Sequence, residues 1–535
     1  MLSNGETKVY LKPNLVPEPL VDNWYAWPHL ISPATAAMNI KERHMRIMDS
    51  YIESPMIHTM AVRDPRMLGG PFMDFPKESV KEVAALKEKT LNDNKDLIRF
   101  ADAVKEVNSL LQENANGYCI EPLYEKVPDN LDGYVELGYE LNNKPLFRFF
   151  ESLLYKSDYY KEDLQSIVFY LTDQDERPFV LSTPRIESEK HKLHLQIPFR
   201  SNALDEFFKM QYEPGNMRRA ADMLGIKPED EELFSTFFME TPPQQYQKYE
   251  GDGIRTRYFG HACILVETKN LTILTDPVIS YYGYKYETNR FTYSDLPDVI
   301  DYVLITHNHQ DHILFETMIQ LRHKIKKIIV PRSGGGALQD PSLKLMFNAV
   351  GFDNVIEMDE LDTVDENGVS IMGLPFIGEH ADLSIRTKLC YYVNIDGKKL
   401  LFFADSCNVV PALYKHIYKL VGDVDVMFLG MECDGAPLSW LYGPLMMQPL
   451  KREFDYSRRL KGSNYENGID LVNRFNPKEV FVYAMGQEPW LKHIMSLIYT
   501  EASNPIIASN KLIEECRSRN IRAERLYGEK EIVYE

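Results

Sequence analysis

Residues 302–312, YVLITHNHQDH, constrain this chain more than any other stretch. The apolar run Tyr302-Val303-Leu304-Ile305 reads as a buried strand, and His307, His309 and His312 follow it directly. His307 and His309 share a face while the backbone stays extended, because side chains two apart point the same way. Asp311 and His312 come next, as the chain turns toward a helix starting near Ile313. One short loop thus has ligands for two adjacent metal ions, His307 and His309 for the first, Asp311 and His312 for the second. The competing account is a chance histidine-rich surface loop. The HxHxDH spacing straight after an apolar strand favours metal.

Length and charge narrow the rest. A chain of 535 residues exceeds one ordinary core and implies two or three domains. With 44% hydrophobic and 26% charged residues, global disorder is excluded. Lys and Arg total 60 against 79 Asp and Glu, a net charge of -19, and an acidic surface repels a phosphate backbone, so no nucleic-acid partner is expected. The basic run Arg322-His323-Lys324-Ile325-Lys326-Lys327 reads as the solvated end of a helix. Six cysteines without a CxxC pair indicate neither a zinc knuckle nor a disulfide framework. No secretory signal is visible at Met1–Glu6, and no apolar run approaches the ~18 residues that span a bilayer. The expectation is a soluble cytoplasmic protein.

Residues 1–245 read as mixed α and β. Pro13, Pro17, Pro19, Pro28 and Pro33 interrupt the opening stretch around Trp24, Tyr25 and Trp27, which suggests an ordered but irregular arm. Leu97, Ala101, Val104, Val107 and Leu111 recur at helical spacing over 94–112, and alternation over 191–197 suggests a strand in which His191 and His194 are ordinary residues. Positions 241–253 lose periodicity and collect Pro, Gln and Gly, which places a boundary there. Beyond it, short strand-like runs at 256–259, 262–267, 271–275, 302–306, 327–331, 369–373, 389–395, 399–404, 424–429 and 479–483 alternate with helical stretches such as 313–322 and 409–420. That texture is a layered α/β domain over 246–535.

The histidine loop resembles that of the metallo-β-lactamase superfamily, which implies an αββα sandwich over roughly 250–535. Further landmarks occur in order: Gly260-His261-Ala262, Leu274-Thr275-Asp276-Pro277 and Phe402-Phe403-Ala404-Asp405-Ser406. The resemblance implies that Asp276 supports a metal-binding histidine and that Asp405 bridges two metals. At Gly378-Glu379-His380-Ala381-Asp382 hydrolytic members supply a histidine ligand, and His380 qualifies, but Glu379 is adjacent and only one of two neighbouring strand residues faces the metals. No final histidine follows strand 479–483 directly; the next is His493, on an expected helix. The assembled ligand set is His307, His309, Asp311, His312, Asp405 and either Glu379 or His380. Carboxylate enrichment leans toward redox-active iron rather than zinc.

Across its whole length the chain also resembles the diiron β-hydroxylases of the chloramphenicol-biosynthesis type, tailoring enzymes of nonribosomal peptide pathways. Gly378-Glu379-His380-Ala381-Asp382-Leu383, Gly430-Met431-Glu432-Cys433-Asp434-Gly435-Ala436-Pro437 and Trp24-Tyr25-Ala26-Trp27-Pro28 carry that resemblance. It implies Glu379 as a ligand, two non-haem iron ions, O2 as cosubstrate, and β-hydroxylation of an aminoacyl thioester on a peptidyl carrier domain. It further implies a homodimer formed through the N-terminal domain. No flavin or ferredoxin-binding motif is evident, so electrons are expected from a separate electron-transfer protein.

Among remaining candidates, Glu432 follows an apolar strand and is either a proton-handling group or a loop cap. Trp440, Tyr442 and Trp490 line an aromatic pocket or belong to the core, and Cys407 reads as a small buried filler. Gly334-Gly335-Gly336 lacks a following Lys-Ser/Thr and reads as a turn, not a phosphate loop. A dinuclear zinc hydrolase using His380, acting on a phosphodiester, lactone or thioester, is the alternative function. A degenerate docking protein is a third.

Overall fold

In a computed structural model, residues 8–535 are described apart from 188, 284, 286 and 367. The opening stretch differs from the irregular arm expected of its prolines. Leu15–Val21 is a strand buried along its whole length, inside a four-stranded sheet ordered Trp24–Tyr25, Leu15–Val21, Gln165–Leu171, Leu193–Gln196. The Pro19 carbonyl accepts from Ala26 N at 2.8 Å, on the side of the two-residue strand Trp24–Tyr25. The missing N–H groups of Pro17 and Pro19 therefore face that short neighbour, and the ladder to Gln165–Leu171 is spared. The helix Lys95–Asn114 buries the expected Leu97, Ala101, Val104, Val107 and Leu111.

Residues 242–253 form neither helix nor strand. After them come two seven-stranded sheets packed face to face. The first runs Val355–Met358, Ile325–Pro331, Ile300–Leu304, Thr272–Thr275, Cys263–Glu267, Ile254–Gly260, Lys530–Tyr534; the second runs Thr363–Glu366, Val369–Pro375, Leu389–Ile395, Lys398–Phe402, Val426–Gly430, Glu479–Tyr483, Arg522–Arg525. Ile264, Tyr302, Tyr391 and Phe428 are among the apolar side chains filling the space between them. Helices Pro411–Val421, Tyr465–Phe475 and Asn504–Ser518 cover the outer face of the second sheet. The outer face of the first, with helices Phe315–Leu321 and Leu343–Ala349, shares one continuous core with the N-terminal part. The αββα sandwich is thus present, with one helical layer sealed by residues of the other half.

The basic run is solvated only toward its end, where Lys326 is exposed. Arg322 and Lys324 are buried, and Arg322 donates to Val350 O (2.7 Å), Ser201 O (2.8 Å) and Asp205 Oδ1 (2.9 Å), tying the sandwich to the N-terminal part. A second tie is ionic. Arg177 lies between Glu316 (2.8 Å) and Glu18 (3.2 Å), and Tyr25 and Tyr281 hydroxyls donate to the same Glu316 carboxylate at 2.8 and 2.6 Å. Burial alone would raise the Glu18 carboxyl, but Arg185, at 2.6 Å, and then Arg177 outweigh it and hold the group well below its ordinary range. Its contribution to stability is complete above the unfolded value of 4.5 and is lost as the pH falls below it. Arg177→Met would leave the buried Glu316 carboxylate without a cation, while Glu18 keeps Arg185, and is expected to lower stability by about 3–5 kcal/mol in chemical denaturation.

Candidate metal centre

The strands Thr272–Thr275 and Ile300–Leu304 pair in parallel, as do Lys398–Phe402 and Val426–Gly430, and each is followed closely by a polar residue of the site. Asp276, the loop 306–312, Asp405 and Glu432 thereby meet at the carboxyl ends of strands, where open α/β sheets place their ligands. Two donor groups form there. His307, His309 and Glu379 make one; His261, Asp311, His312 and Asp405 make the other, and within each group the donor atoms lie within 4.8 Å of one another. In the first, His309 Nδ1 is 2.8 Å and His307 Nε2 is 3.7 Å from the Glu379 carboxylate. In the second, His312 Nε2 is 3.1 Å from Asp405 Oδ2, and His261 Nε2 is 3.0 Å from Asp311 Oδ2. The rings of His307 and His312, 4.0 Å apart, are the common wall.

Asp276 fixes this arrangement. Its carboxylate accepts from Thr306 N (2.8 Å) and Thr306 Oγ1 (2.7 Å) and holds His312 Nδ1 at 2.9 Å. Burial opposes a charged His312, yet Asp405, Asp276 and Asp311 together raise its imidazole well above the usual value. His307 is driven the other way, first by burial and then by the surrounding histidines, so it presents neutral nitrogen.

Backbone strain is concentrated here. His261, Asp276, Glu379, Ala381, Asp382 and Ala404 all have positive φ, a conformation that costs non-glycine residues of order 1–3 kcal/mol each. This corrects the strand assumed at 378–382. The segment is a succession of left-handed residues starting at Gly378 (φ 88°), where a Cβ would come within 2.6 Å of Cys407 Cβ. Alternation therefore does not choose between Glu379 and His380. The reversed backbone sends the Glu379 carboxylate into the first donor group, while His380 stacks behind it, 4.6 Å from the His309 ring, and belongs to neither group. Cys407 is the small buried filler expected of it.

His493 sets its Nε2 against Arg177 and also belongs to neither group. The imidazole missing after strand Glu479–Tyr483 is replaced in space by His261, whose carbonyl receives Ala484 N at 2.9 Å. In the sequence Gly260-His261-Ala262 stands as a landmark, with nothing in its spacing that marks His261 as a donor. Tyr442 is buried with its hydroxyl 2.8 Å from His309 Nε2. Trp490 lines no pocket of the site: it packs against Gly260 and carries the Arg290 guanidinium 4.3 Å above its ring. Glu432 opens onto the same small cavity as His309, Asp311, Glu379 and Asp405; burial pushes its carboxyl up to about 8 despite a 3.1 Å hydrogen bond from the Tyr499 hydroxyl.

The donor groups contain buried atoms that have no hydrogen-bond partner, among them His307 Nε2, Glu379 Oε2 and Asp405 Oδ1. Such atoms are costly unless something else satisfies them. Imidazole nitrogens and carboxylate oxygens converging from both sides fit two metal ions, and the carboxylate share fits iron.

Fold and site together define a dinuclear metalloprotein on the metallo-β-lactamase scaffold. Comparison with known proteins narrows this. The N-terminal domain of diiron non-haem β-hydroxylases matches residues 10–242, and the β-lactamase superfamily domain matches 272–440. The chain is 37% identical, over 97% of its length and 98% of the other's, to the 4-amino-L-phenylalanyl-[CmlP-peptidyl-carrier-protein] 3-hydroxylase of Streptomyces venezuelae. It superposes on the crystal structure of CmlA, a diiron β-hydroxylase from Streptomyces venezuelae, with TM-score 0.93 and 36% identity, covering 99% of this chain and all of that one. The chain belongs to the diiron non-haem β-hydroxylases. That membership favours oxygen chemistry over the hydrolase and over a docking protein.

Replacing the carboxylate that orients His312 tests the site's construction. Asp276→Asn is expected to weaken metal binding about 10–100-fold, measured by competition with a chelator, with the fold retained.

Proposed function

We propose that this chain hydroxylates the β-carbon of an aminoacyl group held as a thioester on a peptidyl carrier domain of a nonribosomal peptide synthetase. The observation that carries the reading is Glu379 standing in the first donor group of a chain alike, end to end, to a carrier-protein 3-hydroxylase. His307, His309 and Glu379 would hold one iron, His261, Asp311 and His312 the other, with Asp405 between them. When bound, a dinuclear iron group supplies O2 activation and the oxidising power to hydroxylate an unactivated C–H bond. One oxygen atom enters the substrate and the other leaves as water, with two electrons and two protons from outside.

The protein's part is orientation, exclusion of water and proton handling. The Tyr442 hydroxyl fixes Nε2 of His309, which leaves Nδ1 facing the Glu379 carboxylate as the nitrogen that would meet the iron. The enclosing side chains leave a cavity of only about 60 Å³ beside the donor groups. Glu432, protonated at neutral pH by its burial, holds a proton at that cavity and passes it inward. Residues 1–245 are assigned homodimerisation and access for the carrier domain, and a separate electron-transfer protein is assigned the reducing equivalents. The six cysteines are unpaired, and no helix among the described residues is long and apolar enough to cross a membrane, which accords with a cytoplasmic setting.

Glu379→Ala and His380→Ala, made separately, test the reading. Glu379→Ala is expected to lose about half of the bound iron and to abolish oxygen insertion into a carrier-bound aminoacyl group, followed by intact-mass analysis, while His380→Ala keeps both. Loss of metal from His380→Ala alone would return the site to the hydrolase pattern.

A further inference from the structure

Trp440 stands between two voids. It lines the cavity of about 60 Å³ beside the donor groups and also a groove of about 880 Å³ between the N-terminal part and residues 437–455. No other described residue lines both. The inner cavity is less than a tenth of the groove in size. The groove is far larger, and its walls include Ile47, Phe72, Leu181 and Met447, apolar enough for an extended acyl chain.

The indole is latched from the N-terminal side. Its Nε1 donates to Gly69 O at 2.9 Å, and Phe179 stacks on it at 5.8 Å between ring centres. Gly69 has φ 73°, and a Cβ there would lie 2.9 Å from the indole nitrogen, so the close approach requires glycine. Arg43 Nη2 donates to the carbonyls of Trp440 (2.6 Å) and Leu441 (3.1 Å), near the end of the short helix Leu438–Tyr442. Arg43 comes from a π-helical segment, Ile40–His44, inserted between the α-helices Pro33–Asn39 and Met45–Glu53. Such segments are rare and recur at functional sites. Its other terminal nitrogen, Nη1, is buried without a partner. Of the four tryptophans, Trp440 is the one that is not buried.

We infer that Trp440 is the gate between the groove and the metal-binding cavity, with Gly69 and Arg43 as its latch. Closed, the indole keeps solvent and bulky molecules from the donor groups. An acyl group lying in the groove reaches them only when the indole moves aside. Only the identity of that occupant rests on the function proposed above.

The test uses iron-loaded, reduced protein and the neutral chelator 2,2′-bipyridine, with extraction of iron followed optically. A gate open a few per cent of the time predicts that Trp440→Ala accelerates extraction roughly ten- to a hundredfold. Trp440→Phe, which keeps much of the bulk, stays near the parent rate, and the rate of global unfolding in urea is the same in all three proteins. Equal extraction rates in the parent and Trp440→Ala would overturn the gate. So would an acceleration matched by equally faster unfolding, because the iron would then leave through the unfolded state. A parent enzyme that fails to hydroxylate carrier-bound aminoacyl groups, while Trp440→Ala still speeds extraction, removes the substrate reading and leaves the gate standing.

Discussion

The hydrogen bonds gathered by Asp276 are the fixed point of this structure. One carboxylate at the end of strand Thr272–Thr275 takes the backbone and hydroxyl of Thr306 and holds the imidazole of His312. The loop that begins at Thr306 can then go one way only, and His307, His309, Asp311 and His312 are delivered to two neighbouring groups rather than scattered over a surface. Asp276 is itself strained, with φ 35°. Strain of that kind persists only where the surroundings over-determine it. Here they do, because Asp276 N also donates to Leu304 O at 2.9 Å, locking the turn to the adjacent strand.

The N-terminal part is built into the same construction. Helix Phe315–Leu321 starts three residues after His312 and is buried throughout. Its Glu316 accepts from Tyr25 and meets Arg177, both from the N-terminal part, and Arg177 in turn touches His493. The turn holding His493 is reached from the metal loop as well, since Gln310 donates to Ile494 O at 3.2 Å. A buried cation with two buried carboxylates is a poor source of net stability but an exacting one of geometry. It fixes how the two halves meet at the side of the loop that carries the donors.

Much of this was legible in the sequence, and the exceptions have physical causes. The HxHxDH loop, Asp276 and Asp405 stand at strand ends that announce themselves by runs of apolar residues. His261 also follows a strand, but a lone histidine in a tight turn does not by its spacing mark a donor; a hydrogen bond from Ala484 N to its carbonyl ties it to the site. The choice between Glu379 and His380 could not be made from alternation, because the backbone there is left-handed at successive residues rather than extended. The strand Leu15–Val21 was hidden by prolines that happen to face a two-residue neighbour. Arg522–Arg525, with one buried residue in four, offered no apolar pattern to read. Arg322 and Lys324 looked solvated because their partners, Ser201, Val350 and Pro297, are distant in sequence and mostly backbone carbonyls.

The central claim is that two metal ions sit in two donor groups distinguished by Glu379 and by His261. Anomalous diffraction at the iron edge from crystals of iron-loaded protein tests it directly. The account predicts two peaks, one among His307, His309 and Glu379 and one among His261, Asp311 and His312, with Asp405 reaching both. A single peak, or a pair in which His380 has turned in to replace Glu379, would contradict it.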